Sequence, residues 1–487
     1  MGVDFSHWRS ILEEVYGGGR RWLLAGDVLA PLTGLAATLG ELGAGECFRL
    51  ASSRGTGPLP EGQDHLALDL GVNHRAGQSL MDAIRAGQRA LLELPLEALE
   101  RIEAFDSARE ARVIGTIFDD GNPVAGREKF GRRRPEWIAL EDKTVLAPLW
   151  AAAGVEAAPE RIVPGDAGSL LRAHAELDAL VGEGLGTVWA GDNTEGWHGG
   201  AEATFWVPDD EAARETSARI AGRFEKVRIM PFLDGIPCSI HGVVFPDHVV
   251  ALRPCEMIVL RRPDHSGLVY ARAATFWDPP AADREVMRRA AKRVGAHLRE
   301  SVGFRGAFTI DGVMSAGGFR PTELNPRFGA ALGVMSRGVD LPLMLTFLAV
   351  VEGVEADWRP EALEEALLTA ADESRSGAGG GFPQITVSET REALLRFEEV
   401  DGALRAELLD KPAEGAAEPE GVDADVLLGP GPGGGYLNIA LRPGRTPVGP
   451  SAAPRIAAGM ACVDRAWSLG MGPAEAAPEH RPGTPGR

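Results

Sequence analysis

Four polar residues, Asp311, Glu323, Asn325 and Arg327, have the types and spacing to hold a divalent cation beside a phosphate. Ala307 to Met314 alternates apolar and polar groups as a strand does, Ser315 to Gly318 is turn chemistry, and a second extended run passes through Glu323. A hairpin centred on Gly317 sets Asp311 opposite Glu323 and Thr309 opposite Asn325. Facing Cβ atoms stand roughly 4.5–5.5 Å apart, and like charges placed that way destabilise a bare hairpin. A divalent cation removes the penalty, because carboxylate and amide oxygens are the hard ligands that magnesium takes. Glu323, Asn325 and Arg327 share one face by the period of two, so a guanidinium stands beside the cation-binding edge, which suits phosphate held through its metal. The same pattern also fits an exposed hairpin with solvated acids and a surface ion pair at Arg327.

A carboxylate on one strand, followed about a dozen residues later by Glu-x-Asn-x-Arg, resembles the metal-binding signature of the ATP-grasp superfamily. Biotin carboxylases, glycinamide ribonucleotide synthetase and D-alanine–D-alanine ligases are members. The resemblance implies that Asp311, Glu323 and Asn325 hold one or two magnesium ions, with manganese an acceptable substitute, on the phosphates of ATP. It implies that Arg327 touches the transferred phosphoryl group or an acyl phosphate. The implied activity is an ADP-forming ligase that joins a small-molecule carboxylate to an amine, with an amino acid or peptide among the candidate substrates. Other chemistry of the superfamily, a bicarbonate-activating carboxylase subunit or a kinase, stays open, as do a degenerate ATP-binding module and a homodimer.

The elements that must position this hairpin read as an α/β and α+β chain. Asp4 to Tyr16 reads as an amphipathic helix stopped at Gly17-Gly18-Gly19, Arg21 to Gly26 as a strand and Pro31 to Leu42 as a helix, a Rossmann-like opening without the full G-x-G-x-x-G. Helical patterning returns at Gln78 to Ala104, a strand at Arg112 to Phe118, and Asp119-Asp120-Gly121-Asn122-Pro123 is a boundary. Asp142-Lys143 then opens a helix that Gly154 ends. This order resembles the ATP-grasp segment whose lysine reaches the ATP phosphates, near a helix start where backbone donors point outward. A solvated surface lysine is the plain alternative for Lys143.

Thr187 to Trp189 and Ala203 to Val207 read as strands around a glycine-rich loop, Gly191 to Gly200, that resembles a loop folding over the triphosphate. The family's second lysine is missing, because Trp189-Ala190-Gly191 stands at its place; either Lys226 or Arg228 supplies the charge, or ATP is held with one cation fewer. Met230-Pro231-Phe232-Leu233-Asp234-Gly235 resembles the hinge between the two ATP-grasp lobes, with backbone and apolar groups of Met230, Phe232 and Leu233 about the adenine and Asp234 for the ribose. An ordinary Asp-Gly turn looks the same. In the resembled fold the sheet bearing Arg253, Glu256, Arg261 and Arg262 lines the acceptor site, where arginines clamp carboxylates by bidentate bonds; structural ion pairs among these residues fit as well. Asp283 to Val302 and Leu341 to Val354 read as helices around the hairpin, Ser374 to Gly381 and Lys411 to Gly421 as linkers, and Glu389 to Leu409 as a helix. The expected division is a Rossmann-like domain at 1–124, an ATP-grasp fold at 125–372 with its hinge near 230–235, a small α+β extension at 373–470 and a disordered tail at 471–487.

Composition is ordinary for a soluble globular protein. With 487 residues, 44% hydrophobic and 25% charged, the chain has mass for two or three domains. A net charge of −20 argues against a nucleic-acid surface, though a bound cation would still admit anions. Cys47, Cys238, Cys255 and Cys462 show no CxxC spacing and are expected as free thiols in a reducing cytoplasm. No secretory signal is seen, and the apolar run Leu341 to Val351 is far short of a membrane span, so no membrane partner is expected.

Overall fold

The computed structural model describes residues 3–68, 80–115, 121–181, 184–194, 199, 201–413, 415–431 and 434–478. Three sheets organise them. Trp22–Val28 is a buried apolar strand flanked in parallel by Cys47–Ser53 on one side and Arg112–Ile114 on the other, with His65–Ala67 parallel at the far edge. Crossover helices such as Leu29–Glu41 cover it, as a parallel sheet requires. Gly17 ends the first helix, Ser6–Tyr16, where a Cβ would collide with the carbonyls of Glu13 and Leu42.

A small antiparallel sheet follows in the order Arg161–Pro164, Lys226–Pro231, Thr187–Gly191, Thr204–Val207. The helices Ala167–Val181 and Asp210–Ile220 share its core, which centres on Leu170, Leu177, Trp189, Ile220 and Ile229. Asp209 starts the second helix by accepting from the amides of Glu211 and Ala212, the bond an N-cap aspartate supplies.

The third sheet has eleven strands. From one edge it runs Gly318–Asn325, Gly306–Ser315, Gly235–Val244, Cys255–Arg261, Leu268–Ala274, Gly377–Gly381, Tyr436–Leu441, Ala424–Gly429, Arg391–Val400 and Ala403–Asp410, with Val249–Ala251 paired to Gly235–Val244. All its pairings are antiparallel. The expected mixed α/β and α+β architecture is therefore present: a parallel sheet first, then two antiparallel ones. Helix Ala281–Val302 packs Met287, Ala291, Val294 and Leu298 under the strands that carry the hairpin. The helix Leu343–Glu352 belongs to the same core as the N-terminal sheet, and Tyr16 donates its hydroxyl to the Leu345 carbonyl at 2.6 Å. The hairpin is thus held between two cores.

Two readings of the C-terminal part are overturned. Ser374 to Gly381 is no linker: Gly377–Gly381 is a fully buried strand in mid-sheet. Its glycines admit a close neighbour, since a Cβ at Gly379 would fall inside the van der Waals shell of Ile456 on helix Ala453–Trp467. Glu389 to Leu409 is no helix but two strands, Arg391–Val400 and Ala403–Asp410, joined at Asp401-Gly402 with φ of 54° and 76°. Glu, Leu, Ala and Arg favour helix locally, yet Asp-Gly is the stronger hairpin signal and pairing inside a large sheet decides the outcome. Of the tail expected to be disordered from 471, residues 479–487 lie outside the described residues, while Met471 and Ala477 are buried and Glu475 forms a backbone bridge with Arg261.

Among the described residues no helix is long and apolar enough to cross a membrane. All four cysteines are free thiols.

Candidate active site

The hairpin register places Asp311 opposite Glu323 and Thr309 opposite Asn325, as the spacing requires. The route differs from a turn centred on Gly317. At the tip Ser315 pairs with Gly318, and Gly312 pairs with Pro321, so Thr322 is an extra residue that bulges between Asp311 and Gly312. That bulge shifts the register by one and brings the two acids face to face. On its other side the Asp311 strand pairs with Gly235–Val244, so Ser239 faces Asp311 and His241 faces Thr309.

Asp311 is partly buried and held by two donors, the Ser239 hydroxyl at 2.5 Å and the Asn325 amide at 2.9 Å. Its carboxyl is pushed up to about 7, first by loss of water on burial and second by the negative charge of Glu323. The Ser239 hydrogen bond, Arg327 and Lys143 oppose this without cancelling it. Burial and the facing acid thus make it costly for both carboxyls to be ionised together, a cost that a divalent cation is suited to offset. Two carboxylates and an amide are hard oxygen donors and fit magnesium. Among the described residues no cluster of three or more His, Cys, Asp and Glu offers an alternative metal site.

Cations surround the pair. Lys143 Nζ lies 3.1 Å from Glu323 Oε2, with side chains 14% and 24% exposed. The buried Arg228 donates to the carbonyl of Thr322, the bulge residue, at 2.6 Å, and its Nε has no hydrogen-bond partner among the described residues. Burial depresses Arg228, while Glu160, Glu323 and Asp142 act to keep it charged. Of the two cations considered for the place of the missing lysine, Arg228 is the one whose guanidinium reaches the hairpin. Lys226 is exposed, and its backbone amide donates to Asp192.

Arg327 lies against this group rather than in solvent. One guanidinium nitrogen donates to Asn325 Oδ1 at 2.8 Å, and Nε donates to Glu141 at 3.0 Å. Glu141 is buried and shared with Arg133. Burial alone would raise its carboxyl, but the Arg327 and Arg133 guanidiniums hold it below the usual carboxylate range.

Three successive side chains of one short segment therefore clasp the site. Glu141 holds Arg327 and Lys143 holds Glu323. Asp142 caps the 3₁₀ turn Lys143–Val145 through Thr144, and its second oxygen accepts the amide of Asn193 at 3.2 Å. Asn193 opens the glycine-rich loop, of which residues 195–198 and 200, including His198, lie outside the described residues. Sequence reasoning found Lys143 but missed Glu141, Arg133 and Ser239. The string Glu-Asp-Lys gave no sign that its first member turns inward.

The hinge residues form a second group at the junction of the small and large sheets. Met230 and Phe232 are buried, and Leu233 and Asp234 are partly so. Phe232 stacks on Trp206 at 4.4 Å, Trp206 stacks on His265 at 4.4 Å, and the Phe232 amide donates to the Gly186 carbonyl. Asp234 pairs with Arg261 at 2.6 Å, and the Arg261 guanidinium lies 4.8 Å from the Phe232 ring centre. Arg228 and Met230 share a face of one strand, which links this group to the hairpin.

The acceptor candidates disperse. Glu256 accepts from Ser451 and from the amides of Ala452 and Ala453, at the start of helix Ala453–Trp467. Arg253 pairs with Asp278 at 2.9 Å and with Asp372, and Arg262 donates to the Pro473 carbonyl. These are structural partners.

No family model matches the chain, and no curated protein does. Solved structures do. N5-carboxyaminoimidazole synthase from Aspergillus clavatus, in complex with ADP and 5-aminoimidazole ribonucleotide, aligns at 11% identity and a TM-score of 0.47, over 87% of this chain and 94% of that one. Biotin carboxylase from Campylobacter jejuni aligns at 12% and 0.47, over 86% and 87%. Phosphoribosylamine–glycine ligase from Thermotoga maritima aligns at 14% and 0.44, over 86% and 92%. All three are ATP-grasp enzymes. At these identities and TM-scores the likeness assigns no reaction, and the chemistry has to be read from the side chains of this chain.

Proposed function

We propose that the chain is an ATP-dependent, ADP-forming ligase of ATP-grasp type, which activates a carboxylate as its acyl phosphate and passes the acyl group to an amine. The observation that carries this reading is the opposed pair Asp311 and Glu323, kept half-buried at a cost and ringed by Lys143, Arg228 and Arg327. Asp311, Glu323 and Asn325 would hold magnesium, which when bound neutralises phosphate charge. Lys143 and Arg228 would supply cations for the remaining phosphate charge, and Met230, Phe232, Leu233 and Asp234 would frame the nucleoside.

A substrate carboxylate oxygen attacks the γ-phosphorus, the bond from that phosphorus to the β-phosphate oxygen breaks, and ADP leaves. The amine nitrogen then attacks the acyl carbon, the bond to the phosphate oxygen breaks, and inorganic phosphate leaves while the nitrogen gives up a proton. Arg327 would meet the transferred phosphoryl, its guanidinium oriented by the hydrogen bond to Glu141. Such chemistry rests on positioning and charge neutralisation and needs no activated protein nucleophile. On this reading residues 1–124 precede the ATP-grasp fold at 125–372, and 373–470 extend its sheet.

The test is coupled-enzyme detection of ADP from MgATP with panels of carboxylates and amines. Release that requires both a carboxylate and magnesium supports the reading. MgATP binding with no ADP from any pair would leave a nucleotide-binding module instead.

A further inference from the structure

Arg272 holds a backbone conformation that arginine resists. Its φ is 88°, and among the described non-glycine residues of positive φ it alone lies inside a strand, Leu268–Ala274. Such a backbone is costly for a residue with a Cβ and persists where its surroundings impose it, as at binding and catalytic sites. The local cause is a bulge. Met257 pairs with Ala273 but Val259 pairs with Tyr270, so three steps on this strand answer two on its neighbour.

The bulge decides which face Arg272 takes. Ala271 and Ala274 pack with Ile456 and Met460 of helix Ala453–Trp467, on one side of the sheet. Ala273 packs with Cys255 on the other side, where Cys255 reaches His241 and His241 bonds to Thr309, two residues from Asp311. Strict alternation would send Arg272 to the helix side, but it lies with the acids. Its guanidinium crosses Gly377–Gly381, a strand that is glycine at four of five positions and so raises no bulky side chain in its path. One terminal nitrogen donates to Asn438 Oδ1 at 2.6 Å and the other to the Leu437 carbonyl at 3.4 Å, and the Tyr436 ring centre lies 4.3 Å away.

Those partners are all neutral. Arg261, Arg320 and Arg396 of the same sheet each pair with a carboxylate, whereas Arg272, half-buried, has none among the described residues. A guanidinium carries five N–H donors, so this one is fixed in orientation and keeps donors to give. Tyr270 links it to the opposed acids. The phenol is pushed up first by burial and then by the negative charge of Asp311, while Arg272 and Arg327 act against the rise. The ring thus stands in the field of both places.

We propose that Arg272, held by Tyr436 and Asn438, binds an oxyanion, carboxylate or phosphate, at the far end of a small-molecule substrate whose reacting end lies at Arg327 and the opposed acids. A planar fork resting on an aromatic face suits the two parallel hydrogen bonds that either anion accepts. The C-terminal strands then take part in recognition as well as extending the sheet. What becomes of the ligand rests on the ligase reading; its binding at Arg272 does not.

Calorimetric titration of the full chain with glutarate, glutaramide and inorganic phosphate, with and without MgADP, tests this. Glutarate or phosphate is expected to bind, the tighter of the two naming the anion, and the neutral glutaramide to bind more weakly by about tenfold or more. Arg272→Gln should weaken the oxyanion by a similar factor and leave MgADP binding unchanged. Arg272→Gly should lose it too, yet melt no lower than Arg272→Gln, because glycine accepts the backbone that glutamine resists. Equal binding of glutaramide, undiminished oxyanion binding in folded Arg272→Gln, or a lower melting temperature for Arg272→Gly would overturn the proposal. The two readings separate in the same titrations. MgADP binding without oxyanion binding sinks the Arg272 site alone. Oxyanion binding that Arg272→Gln removes, in a chain that takes no MgADP, sinks the ligase reading and leaves the site.

Discussion

The eleven-stranded sheet ends in a hairpin at each edge, and the two hairpins are built on opposite electrostatic rules. At one edge Asp311 faces Glu323, like against like and half-buried. At the other edge Arg396 faces Glu407 at 3.1 Å, with side chains 29% and 56% exposed, and Glu398 faces Arg405. The second arrangement is ordinary strand pairing, favourable and of small worth. The first is unfavourable unless something else occupies the site. A protein keeps such a pairing only where surrounding structure over-determines it, and here Ser239, Asn325, Lys143 and Arg228 do so. The contrast separates function from housekeeping better than either hairpin's fold does.

The largest test of that contrast is Glu323→Gln. It should cut magnesium-dependent ADP release by about a hundredfold or more, because oxygen charge at the metal is lost, whereas Glu407→Gln at the far edge should leave turnover unchanged. If the two variants fell equally, the functional distinction between the edges would be wrong.

Next in size is the clasp. Glu141→Ala leaves Arg133 and Arg327 without their shared buried partner, and breaking a buried pair from one side costs about 3–5 kcal/mol. Denaturant melts of Glu141→Ala against Glu407→Ala measure this, and near-equal losses would contradict the burial argument.

Acid acts on the same edge through two groups of opposite sign: Asp311, raised to about 7, is protonated earlier in the folded chain and favours folding as pH falls, whereas His241 opposes it. His241 is fully buried on the strand that pairs with Asp311's strand, bonded to Thr309 Oγ1 at 2.8 Å with Cys255 Sγ at 3.4 Å, and burial depresses it from 6.5 to about 3. Between those values the unfolded chain takes a proton that the folded chain refuses, so the contribution of His241 falls as pH drops below 6.5. The loss is on the order of 2 kcal/mol by about pH 5. His241→Gln should remove the His241 part of the profile, so that the variant keeps more of its stability at pH 5 relative to pH 7 than the parent does. A pH profile the same in both proteins would remove His241 from the account.

The smallest effect belongs to the far edge. Arg396→Ala should change stability by only about 0.2–1 kcal/mol, and less at high salt. A salt-insensitive loss above that range would mean that this hairpin, too, carries buried charge.

Legibility followed the range of the interactions. Period-two alternation and the turn at Ser315–Gly318 put Asp311 opposite Glu323, although the bulge at Thr322 that makes the register work was not visible. In Gly377–Gly381, composition pointed to a linker because glycine has no side chain to show a buried face; the packing of Ile456 over it is known only from the fold. In Arg391–Asp410 helix-forming residues outweighed Asp401-Gly402 on reading, and the sheet reversed the weighting. Lys143 was found by its place before a helix, while Glu141, two residues earlier, carried no local mark of its inward turn.

What the chain by itself determined is the local geometry: strand faces, helix spans and the placing of two acids across one hairpin, because periods of 2 and 3.6 residues are short-range properties of the backbone. Which cations come to that hairpin was decided only in three dimensions. Arg228 reaches it across sheets, and Lys143 and Glu141 reach it from a segment some 180 residues away in sequence. Those contacts depend on packing between distant segments, which no window along the sequence contains.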